Sequence, residues 1–425
     1  MSDLPVAMSR LSNGLRVASL PLDHLRTAAV GVWLRVGTRD ETPEQAGIAH
    51  LLEHMAFKGT ERRSARRIAE EIEGVGGSLD AHTAREHTAY YARILAEDLP
   101  LAVDLLADIL LYSRLDEAEL AREREVVLQE IAEAADTPND LVFDLFQEAA
   151  FPGQGLGWPI LGREETVAGL DRTALRRFLE AHYRPERMVV AAAGRVDHRE
   201  LVELVEERFA ALEPAPQRPE PAPARYVGGE VRVCRDIDQV HLVLGLEGVS
   251  LHDREFYVQH VFASILGGGA ASRLFQEVRE NRGLAYSVFA YPQAFAETGL
   301  LGLYAATEPA RASELLDVML DCLRRLALEG PSEEELQRAR KQVEASFLMA
   351  LESPGAAADD LARQLLTYGR RIGLDALMAA IAAVDTERVR RFGARMLKRG
   401  RPTLAVVGPK ADLPDLAAIT ARLSA

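Results

Sequence analysis

The chain has 425 residues, 48% hydrophobic and 27% charged, a composition that excludes disordered, collagen-like and coiled-coil proteins as descriptions of the whole. Its 65 acidic and 50 basic residues give a formal net charge of −15, which opposes binding to nucleic-acid phosphates. Cys234 and Cys322 are too few for a disulfide framework or a thiolate metal site. With no signal-peptide pattern and no run of 18 apolar residues, we expect a soluble cytoplasmic protein without a membrane partner.

The first part of the chain alternates between strand-like and helix-like patterns. Apolar residues alternate in TAAVGVWLRV (27–36), which predicts a half-buried strand, and HTAYYARIL (87–95) predicts another. Between these strands, helices are predicted at 45–57 and at 64–74.

The first of these helices carries a metal-binding pattern, AGIAHLLEHMAFKGT (46–60). His50, Glu53 and His54 share one helix face, and together they form the inverted zinc-protease motif H-x-x-E-H. Two imidazoles one turn apart can hold one zinc ion, while the carboxylate takes a proton from the attacking water. A simpler interpretation is that these His and Glu side chains lie on a solvent-exposed helix face. The surrounding residues are mostly apolar, however, and unpaired ionisable groups are costly in apolar surroundings. A structural zinc site would usually need cysteines, which are scarce here.

The middle of the chain contains a boundary between two similar halves. EPAPQRPEPAPARYVGG (213–229) predicts an extended linker. The segment 170–194 matches 384–408 without a gap, each reading as a helix, a turn with proline and an apolar strand. The segments 113–125 and 330–342 also resemble each other: each is the acidic beginning of a predicted helix, with Ser or Asp near its N-cap. We therefore predict an internal duplication, which lowers the domain count from the roughly three that length alone suggests to two.

The second half repeats the mixture of strands and helices. Strands are predicted at 240–246, 286–291 and 300–306. Strands gathered apart from helices predict an α+β fold of two homologous sandwich domains, each with a mainly antiparallel sheet and helices. The predicted domains are residues 1–212 and 230–425.

Three segments give the chain a resemblance to the pitrilysin family of inverted zincins: LSNGLRV (11–17), the HLLEH helix with FKGT after it, and GGGAASRLFQEVRENRGLAYSVFAYP (267–292). The resemblance implies one Zn²⁺ per chain and a zinc-dependent endopeptidase that cuts peptides or unfolded polypeptides in a chamber between the halves. It also implies a homodimer. The alternative is a non-catalytic scaffold or partner subunit of a peptidase or respiratory-type complex, but such relatives typically lose the zinc ligands.

The resemblance assigns the zinc to His50, His54 and a glutamate some 75 residues further on. Glu130 lies 76 residues after His54. Glu133, one turn later, is a rival, and the spacing favours Glu130. Glu123, two turns before Glu130, is expected to orient a ligating imidazole.

The resemblance also implies substrate-binding residues. Arg279 and Tyr286 are expected to bind the peptide, either at the zinc of their own chain or at that of a partner. By residue type alone, Arg279 is an ordinary helix-surface charge and Tyr286 a strand residue facing the core. Asp80 stands where the family usually has asparagine, and Ala81 offers backbone groups to an extended peptide. His82 is interpreted as a strand residue and not as a fourth ligand.

The second half is expected to keep the fold without the metal. Its helix equivalent to 45–57 is 256–266, which has no H-x-x-E-H, and the equivalent of Glu130 falls near Ser346. The acidic balance further predicts a preference for substrates with Lys or Arg near the cleaved bond.

Overall fold

The computed structural model describes residues 6–214 and 221–424, and these residues form two compact units. The first unit contains the described residues up to Ala132, those from Trp158 to Pro221, and Leu348–Asp375. The second contains Glu133–Gly157, Ala222–Phe347 and the described residues from Ala376 onward. Residues 215–220 of the predicted linker lie outside the described residues. Each unit thus takes a segment from the other half of the sequence, which was not predicted; the limits 1–212 and 230–425 stay a prediction.

The secondary structure follows the expected mixture. The strands are β1 (Ala7–Arg10), β2 (Arg16–Pro21), β3 (Thr27–Leu34), β4 (Ser78–Thr83), β5 (Thr88–Leu95), β6 (Met188–Gly194), β7 (Gly229–Cys234), β8 (Val240–Glu247), β9 (Val288–Ala294), β10 (Gly299–Thr307) and β11 (Thr403–Gly408). The helices are α1 (Ile48–Ala56), α2 (Ala65–Gly74), α3 (Leu99–Leu111), α4 (Glu117–Asp136), α5 (Pro138–Ala150), α6 (Glu164–Gly169), α7 (Arg172–His182), α8 (His198–Arg208), α9 (Phe256–Gly267), α10 (Ala312–Glu329), α11 (Glu333–Ala350), α12 (Pro354–Tyr368), α13 (Leu374–Ala382), α14 (Thr386–Arg399) and α15 (Leu416–Ser424). Within the described residues, no helix is both long enough and apolar enough to cross a membrane.

The first unit is built on a six-stranded sheet in the order β1-β2-β6-β3-β5-β4. Among the described strands of this sheet, β2 and β6 pair in parallel and the other neighbours are antiparallel. Its main core contains buried residues of β3, β5 and β6 together with those of α1, α3 and α7. This sheet provides the frame that carries α1 and leaves β4 as an edge strand.

The second unit repeats that plan with the order β7-β11-β8-β10-β9. Within the part of the chain that the structure describes, its parallel pair is β7 with β11, the counterpart of β2 with β6. Apart from β1, which has no counterpart among the described strands of the second sheet, both sheets have the same strand order and the same parallel pair. This agreement confirms two homologous α+β domains related by duplication.

The aligned segments show the duplication residue by residue. Asp171 caps α7 by accepting a hydrogen bond from the backbone of Ala174, and Asp385 caps α14 in the same way from Arg388. The equivalent strands both end in a glycine with positive φ, 113° at Gly194 and 144° at Gly408. A side chain at either glycine would also collide with the neighbouring strand, since a Cβ would lie 2.4 Å from a backbone oxygen.

A helix from the other half of the sequence covers one face of each sheet. In the first unit, alanines and leucines of α12 pack on β2, β3 and β6, where Trp33 and further alanines lie. In the second unit, α5 packs on β8 and β11, with Phe146 placed over Gly245. The small side chains of the α12 contact allow a helix to approach the sheet closely.

Candidate metal centre

Helix α1 is fixed at its start by a buried carboxylate. Gly47 adopts the left-handed conformation that begins the helix, at a φ of 94°. Glu41 accepts hydrogen bonds of 3.0 Å from the backbone N–H groups of Gly47 and Ala49. Burial raises the pKa of Glu41 to about 8, because its effect is larger than that of the two N–H groups, which lower the pKa. These bonds satisfy N–H groups that a helix start leaves without intrahelical partners.

Three potential metal ligands come together between two helices: His50 and His54 lie on α1, and Glu130 lies on α4. The Oε2 atom of Glu130 lies 3.7 Å from the Nε2 atoms of both His50 and His54. The two imidazole rings are 4.6 Å apart between centroids, at an angle of 68°. One ligand atom from each residue lies within 4.8 Å of the others. Glu133 is not part of this group, so the structure places the sequence-favoured glutamate, Glu130, next to the histidines.

Glu123 and Lys58 hold the far side of one imidazole. The Nδ1 atom of His54 is 3.1 Å from Oε2 of Glu123, a carboxylate that is almost fully buried. The other oxygen of Glu123 accepts from the Lys58 ammonium at 2.8 Å. A carboxylate at Nδ1 keeps the proton on that nitrogen and leaves the lone pair of Nε2 facing Glu130.

Glu53 lies on the same helix and is held by strand β4. The Thr83 hydroxyl donates a 2.5 Å hydrogen bond to Oε2 of Glu53. Burial raises the pKa of Glu53, although the Thr83 hydroxyl and His54 act in the opposite direction. A carboxylate with a raised pKa is a better proton acceptor near neutral pH than an exposed one.

The three candidate ligands fit a zinc ion. Burial, followed by the proximity of His54, lowers the pKa of His50 to about 4, so its imidazole is uncharged and has a lone pair available at neutral pH. The buried Nδ1 atom of His50 has no hydrogen-bond partner among the described residues. Two imidazole nitrogens and one carboxylate oxygen are the usual donors of a catalytic zinc site with one open position.

Strand β4 presents the other predicted first-half residues at the edge of its sheet. Asp80 is exposed, and its Oδ1 atom accepts a 2.8 Å hydrogen bond from the backbone N–H of Ala81. β4 pairs with β5 alone among the described strands, so its outer edge is open to strand addition. The Ala81 N–H is therefore engaged by Asp80 and would have to exchange partners to bind a peptide there. His82 lies in β4, as expected, and outside the His50 group.

In the second unit, the predicted pair Arg279 and Tyr286 is in contact. Arg279 donates to the backbone oxygen of Tyr286 at 3.1 Å, and its guanidinium lies 4.2 Å from the centre of the Tyr286 ring and 4.8 Å from that of Phe275. Tyr286 is 79% exposed and precedes β9, which begins at Val288. The interpretation of Tyr286 as a core-facing strand residue is therefore wrong, because the strand starts two residues later than predicted. Stacking between two rings fixes the guanidinium without burying it.

Sequence reasoning missed Glu41, Lys58 and Thr83. Lys58 stands four residues after His54, a helical spacing that could have suggested it. Thr83 is 30 residues from Glu53, and only the folding of β4 against α1 brings them together. Glu41 precedes α1 by a short 3₁₀ turn, so no simple spacing indicates its bonds to the helix start.

Comparison with known proteins places the chain in a family. Residues 16–164 match the family model "Insulinase (Peptidase family M16)", and residues 169–343 match "Peptidase M16 inactive domain". An uncharacterized zinc protease of Streptomyces coelicolor is 41% identical over 96% of this chain and 90% of its own length. An uncharacterized zinc protease of Bacillus subtilis is 36% identical, over 95% of this chain and 98% of its own.

Solved structures share the fold. A protease from Helicobacter pylori matches with a TM-score of 0.88 and 22% identity, over 96% of this chain and all of that one. A chain of complex III₂ from Candida albicans matches with the same TM-score and 23% identity, over 98% of this chain and 99% of that one. Identities this low show the fold alone. The family models and the zinc proteases show more: the chain belongs to the insulinase family, peptidase family M16, and is a zinc-dependent protease.

Proposed function

We propose that the chain is an endopeptidase for peptides or unfolded polypeptides, whose zinc ion is held by His50, His54 and Glu130. One observation carries this assignment: a single oxygen of Glu130 lies 3.7 Å from the Nε2 atoms of both histidines. A bound zinc ion would polarise the substrate carbonyl and lower the pKa of a water molecule at the open position. We also propose that cleavage takes place in a chamber between the two halves of the chain.

Glu53 is the proposed proton carrier. One of its carboxylate oxygens takes a proton from the attacking water as the water oxygen bonds to the peptide carbonyl carbon. The proton then passes to the amide nitrogen as the C–N bond breaks, so the products are a carboxylic acid and an amine, which ionise in neutral water to a carboxylate and an ammonium group. The hydrogen bond from Thr83 to Oε2 holds the Glu53 side chain and leaves Oε1 for this proton transfer.

Arg279 and Tyr286 are proposed to bind the peptide. The guanidinium can donate to peptide carbonyl oxygens, and the exposed phenol can donate to the oxyanion of the tetrahedral intermediate. Their contact supports a joint role, because the ring that stacks on Arg279 also carries the phenol. Ala81 is proposed to pair with the extended peptide after its N–H leaves Asp80.

A homodimer in a reducing compartment is also proposed. Sedimentation of the purified protein as a monomer at micromolar concentration would contradict the dimer. Two cysteines in 425 residues agree with a cytoplasmic environment.

The variant Glu53→Gln tests the function. It preserves the size of the side chain and an oxygen for Thr83, but it removes the proton acceptor. We expect zinc binding to be unchanged and kcat on an unfolded polypeptide to fall by at least about 10²-fold, since a general base contributes about 10² to 10⁴.

Glu73→Gln, an exposed glutamate at the end of α2, is the matched control and should keep the parental rate. Undiminished cleavage by Glu53→Gln would overturn the assignment of the base. A parent protein with neither zinc nor turnover would support the scaffold alternative instead.

A further inference from the structure

The described residues contain a second group of metal-ligating side chains outside the candidate centre. His82, His87 and Asp359 each offer one ligand atom, and these atoms lie within 4.8 Å of one another. We propose that they form a second metal site in the first unit, which binds a divalent transition-metal ion such as Zn²⁺ through two imidazole nitrogens and one carboxylate oxygen. None of the three belongs to the His50 group, so the second site is independent of the proposed function.

The hairpin between β4 and β5 brings the two histidines together. Its turn closes through a 2.8 Å hydrogen bond from Ala84 to the backbone oxygen of His87. The Nε2 atoms of His82 and His87 then lie 3.3 Å apart. Two nitrogen ligands of one tetrahedral zinc ion, each about 2.0–2.1 Å from the metal, are separated by about 3.3 Å. The hairpin therefore already sets the two nitrogens at the spacing that one ion requires.

Asp359 supplies the third ligand from α12. Its Oδ1 atom accepts a 2.8 Å hydrogen bond from the indole N–H of Trp33, which is buried in β3. A hydrogen bond of this kind orients a ligating carboxylate and leaves its other oxygen for the metal. Because α12 begins about 270 residues after the hairpin, an ion here would join two distant parts of the chain within the first unit.

The charges around the site allow a cation. Burial lowers the pKa of both histidines, that of His87 to about 4, so their rings are uncharged at neutral pH. The carboxylate of Asp359 favours positive charge on both rings and that of Asp80 favours it on His82, whereas Arg363 opposes it on both. Arg363 is 3.4 Å from Asp359, but its side chain is 56% exposed and can turn into solvent when an ion binds.

Metal stoichiometry tests the second site without an activity assay. The full chain is stripped with a chelator and dialysed against micromolar free Zn²⁺, and bound zinc per chain is measured. We expect two ions in the parent, one in His54→Ala, one in His87→Gln and none in the double variant. His24→Gln, which removes an exposed histidine, should keep two.

Thermal unfolding provides a second readout. Zn²⁺ should raise the unfolding midpoint of His54→Ala and leave that of the double variant unchanged. Asp359→Asn controls for a loss of metal caused by misfolding, because it keeps an oxygen that can accept the hydrogen bond of Trp33 and removes only the charged ligand. This variant should also bind one ion fewer than the parent.

A parent that binds one ion, with none left in His54→Ala, would overturn the second site. One ion that is lost in His87→Gln but kept in His54→Ala would support it and would instead remove the metal from the proposed catalytic centre.

Discussion

His54 makes its contacts on two sides, with Glu130 at Nε2 and Glu123 at Nδ1. Glu123 in turn forms an ion pair with the Lys58 ammonium, so Glu130, Glu123 and Lys58 together orient one imidazole. A carboxylate behind a ligating histidine raises its basicity and fixes its orientation. Zinc affinity should therefore depend on Glu123, which is not itself a ligand.

Glu123→Ala should weaken zinc binding by about 10- to 100-fold, the usual effect of losing such a partner. Competition with a chromogenic chelator would measure it. Glu125→Ala removes an exposed glutamate from the same helix and should leave affinity unchanged. Equal affinities in the two variants would show that Glu123 does not position His54.

Two buried tyrosines near α1 allow a test of stability. The hydroxyls of Tyr90 and Tyr183 are 3.0 Å apart, and burial raises the pKa of both, so both stay protonated. Either single change to Phe leaves one buried hydroxyl without its partner and should cost about 1–3 kcal/mol in the free energy of unfolding. The double change removes both polar groups together and should cost less than the sum. Urea unfolding of the four proteins measures this, and strict additivity would argue against the pairing.

Residues that are close in sequence were the easier ones to predict. The helical spacing of His50, Glu53 and His54 is a local property, so the sequence alone indicated their common face. Thr83 reaches Glu53 only through the packing of a strand on a helix, for which no local pattern exists. His87 and Asp359 escaped notice for the same reason, since a hairpin and a distant helix bring them together.

At the scale of single elements, the start of α11 shows how a helix end is held. Ser332 and Glu335 form a reciprocal cap in which each backbone N–H donates to the side chain of the other residue. Glu335 also accepts two hydrogen bonds from Arg273, of 2.7 and 2.8 Å. The sequence predicted an acidic helix start with serine near the N-cap at this place, but the arginine comes from about 60 residues away.

The Arg273 guanidinium holds the pKa of Glu335 below its ordinary value of 4.5. Because the folded-state pKa is depressed, this stabilisation is present above pH 4.5 and is lost as the pH falls through the lower folded-state value. Glu335→Gln should lower the free energy of unfolding at pH 7, and the variant and parent should converge on acidification. A difference that stays constant between pH 7 and pH 3 would contradict the linkage.

The helices that cover the sheets could not be assigned from sequence. An apolar stripe shows that α12 is buried on one side, but it does not say against which strands. Alanines on both sides of that contact are compatible with many partners. The sequence predicted sheets packed with helices in general but neither α12 nor α5, and only the fold shows that α12 belongs to the first unit and α5 to the second.

At the scale of the whole molecule, the duplication was predictable because the two halves of the sequence resemble each other. Matching caps, buried phenylalanines and terminal glycines recur at a constant spacing, and the two sheets share one strand order. The loss of the H-x-x-E-H pattern from the second copy was equally visible. Where the compact units begin and end was not visible, since contacts far apart in sequence decide it.

The net charge of −15 should affect substrate choice. A negative field raises the local concentration of positive peptides and speeds their association. At low ionic strength, kcat/KM should be several-fold higher for peptides with Lys or Arg near the cleaved bond than for matched acidic peptides. Added salt should shrink the difference, because the Debye length falls to about 10 Å at 0.1 M. Equal turnover of both peptides at low salt would refute the preference.

The exchange of covering helices has a consequence for any attempt to divide this gene. A fragment that ends before the proline-rich segment lacks α12 and would leave Trp33 and the apolar sheet face around it exposed to solvent. The complementary fragment would lack α5 and expose the surface that Phe146 covers. We therefore expect neither piece to fold alone, and the two should recover structure only when produced together. In an ancestor with one copy of the repeat, the same sheet face would have been covered by the helix of a second molecule, as in domain-swapped dimers.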